Sequence, residues 1–592
     1  MCGIFAIVND KTNQAAQTTL SGLKKLEYRG YDSWGIALIP SGENRGKKIT
    51  VEKHVGKIGQ AVTHLPNGDI AIGHTRWATH GGVTDKNAHP HLDCKKQVAV
   101  IHNGIVENYQ EIKSDLISKG HSFTSETDTE VIAHLIEEKS KTKPIVNAVF
   151  ETFKSLVGSN AIVVLDSKTE SIIACRNGSP LVVGIGAKEY FLGSDVPAFL
   201  KLTNKVHFLN DGEAVVMNKK KVALFDLKSE REKSLDIQTL DWKMEDAEKG
   251  GFPHFLLKEI VEQKNTLPKT GQINKQEFQK IAAKINEGCK IIMSACGTAS
   301  YCTLAAKYFF SDLGIESEVY GAYEFLPFAR FCNEKTVFIA VSQSGETADT
   351  LIAARAAKKQ GAYIVAVVNA RGSTLERMAD CTLPVGAGPE IAVLSTKAFT
   401  AQTATLYLLA YYIKGVPEKA ITKLDHLGKM LETWLTQNLL TRVRELAKSL
   451  MDHEDMYLIG KYLNYPGCLE FALKIKESSY IHSEGFASGE LKHGVIALIQ
   501  KGTPCFVLAM NDEVRNEVLS SAAELKARGG KIIGVAPFES HEFDIHVKTP
   551  DIGKLTFFPN VIVGQLLGYY LGIGRGTDPD KPRNLAKSVT VK

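Results

Sequence analysis

The chain has 592 residues, 44% of them apolar and 23% charged, an ordinary globular composition with material for several hydrophobic cores. Its 71 basic and 66 acidic residues leave a formal charge of only +5, which gives no reason to expect a nucleic-acid or membrane partner. Length suggests about four domain-sized units. The ten cysteines are scattered, and the opening MCGIFAIVND has neither a basic n-region nor a long apolar run, so a reduced, cytoplasmic protein is expected. The longest apolar stretches, Ala398–Ile413 and Val561–Ile573, are broken by Thr, Gln and Gly. They fall short of the ~20 residues of a membrane span and read as buried helices.

The first element opens Met1-Cys2-Gly3-Ile4-Phe5. Removal of Met1 would put a nucleophilic thiol and a free α-amine on Cys2, and the amine can act as the thiol's general base, directly or through a water. Such a residue suits attack on a carboxamide with ammonia as leaving group. Downstream come LEYRGYDSWG (Leu26–Gly35), GHTRWATHG (Gly73–Gly81), NAHPH (Asn87–His91), HNGIVEN (His102–Asn108) and SETDTE (Ser125–Glu130). Up to about Phe225 the chain reads as short strands and amphipathic helices, with AIVVLD and VALFDL as buried or half-buried strands. His74, His80, His89, His91, Cys94 and His102 fall close together, but there is no C-x-x-C pair and no H-E-x-x-H. No metal and no other cofactor is expected, and these histidines read as polar loop and strand-edge residues.

The polar stretch from Leu235 to Gly251 carries no apolar period and is read as containing a linker, 241–250. Strands and helices then alternate. KIIMSACGTAS leads into a helix, and TVFIAVSQSGETADTLIAARAAKKQGAYIVAVVN gives strand, loop, helix and strand. DMYLIGKYLNYPGCLEFALKIKE and TPCFVLAMNDEVRNEVLSSAAELKARGGKIIGVAPF echo both pieces, with Gly297 matching Gly460 and Gly361 matching Gly529 at a separation of roughly 165 residues. Two doubly wound parallel-sheet domains follow, with ligands expected outside the carboxyl ends of their strands. Ser342-Gln343-Ser344-Gly345-Glu346-Thr347, between a strand and a helix, supplies hydroxyls and backbone N–H groups suited to a phosphate. It lacks the Lys of a P-loop and the spacing of a dinucleotide fingerprint.

In the order in which they occur, the N-terminal motifs resemble those of the class II glutamine amidotransferases, over roughly the first 230 residues. The resemblance implies an N-terminal-nucleophile hydrolase fold, a four-layer αββα sandwich, in residues 1–240. ACGTAS, SQSGETADT, LSTKAFT, LKIKESSYIHSEG, GELKHG and PRNLAKSVTV are similar to the sugar isomerase (SIS) domain pair and tail of the glutamine–fructose-6-phosphate aminotransferase (isomerizing) family, in its bacterial form. That resemblance implies a first SIS domain at 251–430, a second at 431–575 and a tail at 576–592 completing the sugar site.

The residue roles it implies are specific. Cys2 is the nucleophile, Asn103 and Gly104 form the oxyanion hole, Arg76 pairs with the glutamine α-carboxylate and Asp128 with its α-amino group, Thr79 and His80 line that pocket, and Trp77 gates ammonia passage. Ser342, Gln343, Ser344 and Thr347 hold the sugar phosphate, while Thr298, Val393, Ser395 and Ala586 contact the sugar. Lys587 forms the Schiff base, Glu477 moves the proton between carbons 1 and 2 with Lys474 nearby, and His493 opens the ring from a neighbouring subunit, implying a homodimer. The implied substrates are L-glutamine and D-fructose 6-phosphate, and the implied product opens amino-sugar biosynthesis. Two departures stand out: Ala299 where a serine is common, and Trp34 where an alanine is more usual. A different ketose phosphate, or a phosphosugar-binding regulator with a vestigial glutaminase, are the competing readings. The second would be expected to lose Cys2, Glu477 or Lys587, and all three are present.

Overall fold

In the strand Gly3–Asn9 every residue is buried, and alternate side chains serve two layers. Ile4, Ala6 and Val8 enter one core together with Ile72, Ile101, Val163 and Leu165. Phe5 points the other way, onto the helix Ala15–Lys25, so tightly that a Cβ on Gly22 would lie 2.4 Å from its ring. The computed structural model describes residues 2–9, 13–42, 48–240, 248–272 and 275–589. They divide into two units, 1–244 with 588–592, and 245–587.

The first unit stacks an eight-stranded sheet on a seven-stranded one, each antiparallel throughout. Gly3–Asn9 lies beside Gly68–Arg76 in the first sheet, and Val98–Gly104 beside Asn160–Asp166 in the second. On the outer face of the second sheet Val98, Val100, Ile162 and Val164 pack with Leu116, Ile132, Ile136 and Phe150. These come from the helices Tyr109–Ser118, Glu130–Ser140 and Ile145–Ser155. The result is the αββα sandwich that the motifs imply. Gln238–Thr239 still pairs with Lys205–Val206, so the polar stretch from Leu235 begins inside the fold. Residues 241–247 of the expected linker lie outside the described residues.

The second unit contains two parallel five-stranded sheets. One runs Glu318–Gly321, Lys290–Ala295, Thr336–Ser342, Tyr363–Val368, Cys381–Pro384. The other runs His482–Ala487, Asp455–Gly460, Pro504–Leu508, Lys531–Ala536, Ile545–Lys548. The two share one strand order, so the repeat legible in the sequence is a repeat of topology. Both sheets close on a common core: Val337 and Ile339 of one belong to the same apolar cluster as Phe506 and Leu508 of the other. The helices Lys397–Ile413, Asn464–Ser479 and Phe557–Gly574 connect them. The expected division at 430/431 falls inside the helix Pro417–Trp434.

Phe557–Gly574 is the buried helix expected at Val561–Ile573, extended at its N-terminal end. By length and composition alone this helix is apolar enough to cross a membrane, yet 83% of its most apolar window is buried within the protein. Its glycines explain that burial. Gly564, Gly568 and Gly572 face the helix Asn464–Ser479, and a Cβ on them would stand 2.3 Å from the Phe471 ring, 2.7 Å from the Lys474 carbonyl oxygen and 2.8 Å from the Ser478 carbonyl oxygen. Helix propensity favours alanine over glycine by about 1 kcal/mol, but a helix carbonyl cannot step aside as a side-chain tip can. Gly568→Ala is therefore expected to cost a net ~1–2 kcal/mol, by overpacking. Urea denaturation should show a lower midpoint with unchanged slope, and a raised midpoint would contradict this packing.

Candidate active sites

Cys2 sits immediately before the strand Gly3–Asn9 and is fixed by its backbone. Its carbonyl accepts from Asn103 Nδ2 at 2.9 Å and from Arg29 Nε at 3.3 Å. The Trp77 backbone N–H donates to its sulfur at 3.3 Å, so Trp77 meets the thiol through its main chain. Asn103 closes the strand Val98–Gly104, and its Oδ1 lies 3.1 Å from His74 Nε2. Burial pushes the His74 imidazole down to about 3, so the ring is neutral. Gly104 follows at φ +140°, where a Cβ would meet the Ser159 carbonyl at 2.2 Å; only glycine fits there.

The residues expected to face glutamine are held just as firmly. Arg76 ends the strand Gly68–Arg76 and donates to the carbonyls of His80 (2.5 Å), Gly81 (3.0 Å) and Gly82 (3.2 Å), so its guanidinium shapes the loop that carries His80. His80 is half-buried with its ring edge-on to Tyr109, and Thr79 is exposed. Asp128 is buried and accepts from the Val106 backbone N–H at 2.8 Å.

The histidines expected at polar loops and strand edges are instead a buried cluster: His74, His89, His91 and His102 are each at most 4% exposed. His74 stacks on His89 with ring centroids 4.2 Å apart, and His91 meets His89 edge-on at 4.8 Å. Burial lowers the pKa of all four. Their partners give them a role the sequence did not reveal. His91 bonds the Thr127 hydroxyl at 3.0 Å and His102 the Thr129 hydroxyl at 2.9 Å, pinning the chain on either side of Asp128. Trp34 is buried and packs on the His54 ring at 4.5 Å, so its indole fills apolar space.

In the second unit, Ser342–Thr347 forms a tight cup ahead of the helix Ala348–Lys359. Ser342 Oγ accepts from the Gly345 N–H at 3.0 Å and lies 3.0 Å from Thr347 Oγ1, while Ser344 Oγ accepts from the Glu346 N–H at 3.1 Å. The Gln343 carbonyl is taken by the N–H groups of Asn369 and Ala370. Gly345, at φ +63°, lies so near Ser373 that a Cβ would stand 2.1 Å from its hydroxyl oxygen.

Thr298 begins the helix Gly297–Asp312 and accepts from Lys474 Nζ at 3.0 Å. The same ammonium donates to Glu477 at 2.6 Å and lies 3.4 Å from Glu470. The sequence allowed Lys474 and Glu477 to be a solvated helix face; the Lys474 side chain is 1% exposed. Burial works against its charge, and the two carboxylates outweigh burial and raise its pKa. Glu470 escaped the sequence reading. Burial pushes its carboxyl up to about 8 despite Lys474, and it is Glu477, not Glu470, that hydrogen-bonds the ammonium. Ala299 packs against the apolar core.

Lys587 is likewise buried, its ammonium 2.5 Å from Glu390, a second residue that no motif announced. The other oxygen of Glu390 accepts from the N–H groups of Thr396 and Ala398 at 2.8 and 3.0 Å. Val393 donates its N–H to the Asp580 carbonyl, tying that segment to the tail, and the buried Ser395 hydroxyl has no hydrogen-bond partner among the described residues. Ala586 is half-buried beside Lys587 in the chain. His493 stands apart, exposed at the end of the short turn Ser488–His493. Among the described residues it makes no hydrogen bond to Lys474, Glu477 or Lys587.

Glu470 generates a pH prediction. Its folded pKa of about 8 lies above the ordinary carboxylate value of 4.5, so the folded state is penalised progressively as pH rises from 4.5 to 8. Glu470→Gln lacks that penalty. Its stability relative to the native chain should rise across this window by up to about 1 kcal/mol per pH unit. A difference that stays constant from pH 5 to 8 in chemical denaturation would show that Glu470 is ionised in the fold.

Comparison with known proteins places both halves. The family model described as a glutamine amidotransferase domain matches residues 74–201, and that described as a SIS domain matches 284–412 and 449–541. The glutamine–fructose-6-phosphate aminotransferase (isomerizing) of Thermococcus kodakarensis is 42% identical over 614 aligned residues, covering 100% of both chains. That of Aquifex aeolicus is 42% identical over 605, again with full coverage of both. Among solved structures, the C-terminal domain of glucosamine-fructose-6-phosphate aminotransferase from Francisella tularensis matches with a TM-score of 0.51 at 31% identity, covering 56% of this chain and 100% of that one. With such identity over its whole length, the chain belongs to the glutamine–fructose-6-phosphate aminotransferase (isomerizing) family.

Proposed function

We propose that this chain transfers the amide nitrogen of L-glutamine to D-fructose 6-phosphate and isomerises the product, giving D-glucosamine 6-phosphate and L-glutamate, the entry to amino-sugar biosynthesis. The observation that carries the reading is the Asn103 amide 2.9 Å from the Cys2 carbonyl, which brings an oxyanion donor to the residue bearing the nucleophile. Cys2 sulfur attacks the glutamine carboxamide carbon, with the Cys2 α-amine taking the thiol proton and passing it to the departing ammonia. Asn103 and the Gly104 N–H stabilise the tetrahedral oxyanion. Arg76, Asp128, Thr79 and His80 hold the amino-acid end, Trp77 gates the ammonia, and water releases glutamate from the thioester.

The Lys587 amine, deprotonated with Glu390 as acceptor, condenses with the open-chain ketose at carbon 2 and expels water. Ammonia then displaces the lysine from that carbon. Glu477, poised by Lys474, removes a proton from carbon 1 and returns it at carbon 2, converting the imine to the amino aldose. Ser342, Gln343, Ser344 and Thr347 hold the phosphate, with Thr298, Val393, Ser395 and Ala586 around the sugar. In this scheme residues 1–240 are the glutaminase, 251–430 and 431–575 the SIS domains and 576–592 the closing tail. His493 acts in the partner's site of a cytoplasmic homodimer. Its exposure and the ten free cysteines agree with this.

Cys2→Ala should abolish glutamine-dependent synthesis while synthesis from high ammonia persists. Asn103→Ala should lower glutaminase kcat about 10²–10³-fold with little change in glutamine KM. A mutant affected only in KM would remove Asn103 from the oxyanion role.

Borohydride with fructose 6-phosphate should attach one sugar to Lys587 in the native chain. None should attach in Lys587→Arg, because a guanidinium stays charged and forms no imine. Peptide mapping that finds the sugar on Lys474 would reassign the amine.

A further inference from the structure

We infer that the first unit holds a structural zinc site built from Cys94, His121, His134 and Glu137, outside both candidate active sites. The four residues come from three segments: Cys94 from the turn ahead of the strand Val98–Gly104, His121 from the connection after the helix Tyr109–Ser118, and His134 and Glu137 from successive turns of the helix Glu130–Ser140. One ligand atom from each converges on a common point, all four lying within 4.8 Å of one another. Cys94 Sγ is 3.7 Å from His121 Nδ1 and 3.5 Å from His134 Nδ1. Glu137 Oε2 is 3.3 Å from His121 Nδ1 and 3.6 Å from His134 Nδ1.

Those separations match the edges of a tetrahedron around zinc. Zn–S of about 2.3 Å with Zn–N and Zn–O of about 2.0–2.1 Å give ligand–ligand distances of roughly 3.5 Å for S···N and 3.3 Å for N···O. The outer contacts also suit a metal. His121 Nε2 lies 2.9 Å from Glu138, a carboxylate that fixes the proton on that nitrogen and leaves Nδ1 with its lone pair turned inward. That lone pair then faces Glu137 Oε2 at 3.3 Å, an oxygen that the Cys94 backbone N–H also meets at 3.0 Å, and a metal ion between ring and carboxylate would satisfy both acceptors. His134 Nε2 has no hydrogen-bond partner among the described residues and points toward Glu130 at 3.7 Å. His121, His134 and Glu137 are buried while Cys94 reaches the surface, so the site is closed on three sides with an entry path through the thiol.

The donor set of one thiolate, two imidazoles and one carboxylate selects a borderline divalent ion, and four protein ligands leave no open position for catalysis. Binding replaces the Cys94 thiol proton with the metal and releases it to solvent, so the thiolate and the Glu137 carboxylate together balance the 2+ charge. The expected consequence is mechanical: the ion fastens the turn at Cys94 to the helix Glu130–Ser140.

The test uses the untagged full chain, equilibrated with equimolar zinc and desalted. Elemental analysis should find about one zinc per chain, lost in Cys94→Ser and in His134→Gln with far-UV circular dichroism unchanged. Cobalt(II) in place of zinc should give a thiolate-to-cobalt charge-transfer band in the near ultraviolet and the intense visible bands of a tetrahedral ion. The cobalt spectrum of the native chain decides the matter if the variants do not fold. Less than about a tenth of an equivalent retained, a cobalt spectrum without a thiolate band, or zinc that persists in both variants would each overturn the site. In the first case His121 simply bridges Glu137 and Glu138.

Discussion

A lysine ammonium with a 1% exposed side chain is a costly feature of the second unit, and the groups around it are arranged to tolerate it. Removing such a charge from water costs several kcal/mol unless its hydrogen bonds are replaced. Thr298 and Glu477 provide the replacement, with Glu470 3.4 Å away, and these residues come from two helices that belong to different sheets. Those helices can present their side chains to one ammonium only because the two sheets share a core. The glycines at 564, 568 and 572 let Phe557–Gly574 approach the Lys474 helix to backbone contact. The ion cluster, the glycine stripe and the fused core are three aspects of one constraint.

The first unit solves a related problem with neutral groups. Four histidines are buried beside the residues proposed to bind glutamine, and burial keeps them uncharged. Neutral imidazoles can each donate one hydrogen bond and accept another, which lets the cluster position Asn103 and the threonines around Asp128 without placing extra positive charge next to Arg76. A protonated cluster would compete for the carboxylate that Arg76 is proposed to bind. The same reasoning separates these rings from His121 and His134, whose Nδ1 atoms face a thiol and a carboxylate rather than hydroxyls and amides.

Lys587 illustrates how a charge can be both stabilised and usable. Glu390 holds it in an ion pair, and the second oxygen of that carboxylate is anchored by two backbone N–H groups, so the pair is geometrically fixed. Glu259 lies in the same buried neighbourhood. Burial and the nearby Glu390 push its carboxyl up to about 8, so a proton already resides among these groups. An amine proposed to shed its proton and condense with a ketone gains from an acceptor held this way.

The sequence by itself determined the class of both halves. The strand-like runs AIVVLD and VALFDL, the strand–helix alternation after 290 and the repeated glycines each specify local geometry, and local geometry follows from neighbours along the chain. The named motif residues were legible for the same reason, because each sits in a short contiguous signature. Glu390, Glu470, the burial of Lys474 and of the four histidines, and the convergence of Cys94 with His121, His134 and Glu137 were not. None has a spacing that announces it, and each depends on segments tens to hundreds of residues apart meeting in space. Whether a charged or polar side chain is solvated, paired or forced neutral is decided by what surrounds it after folding, and only the tertiary structure supplies those surroundings.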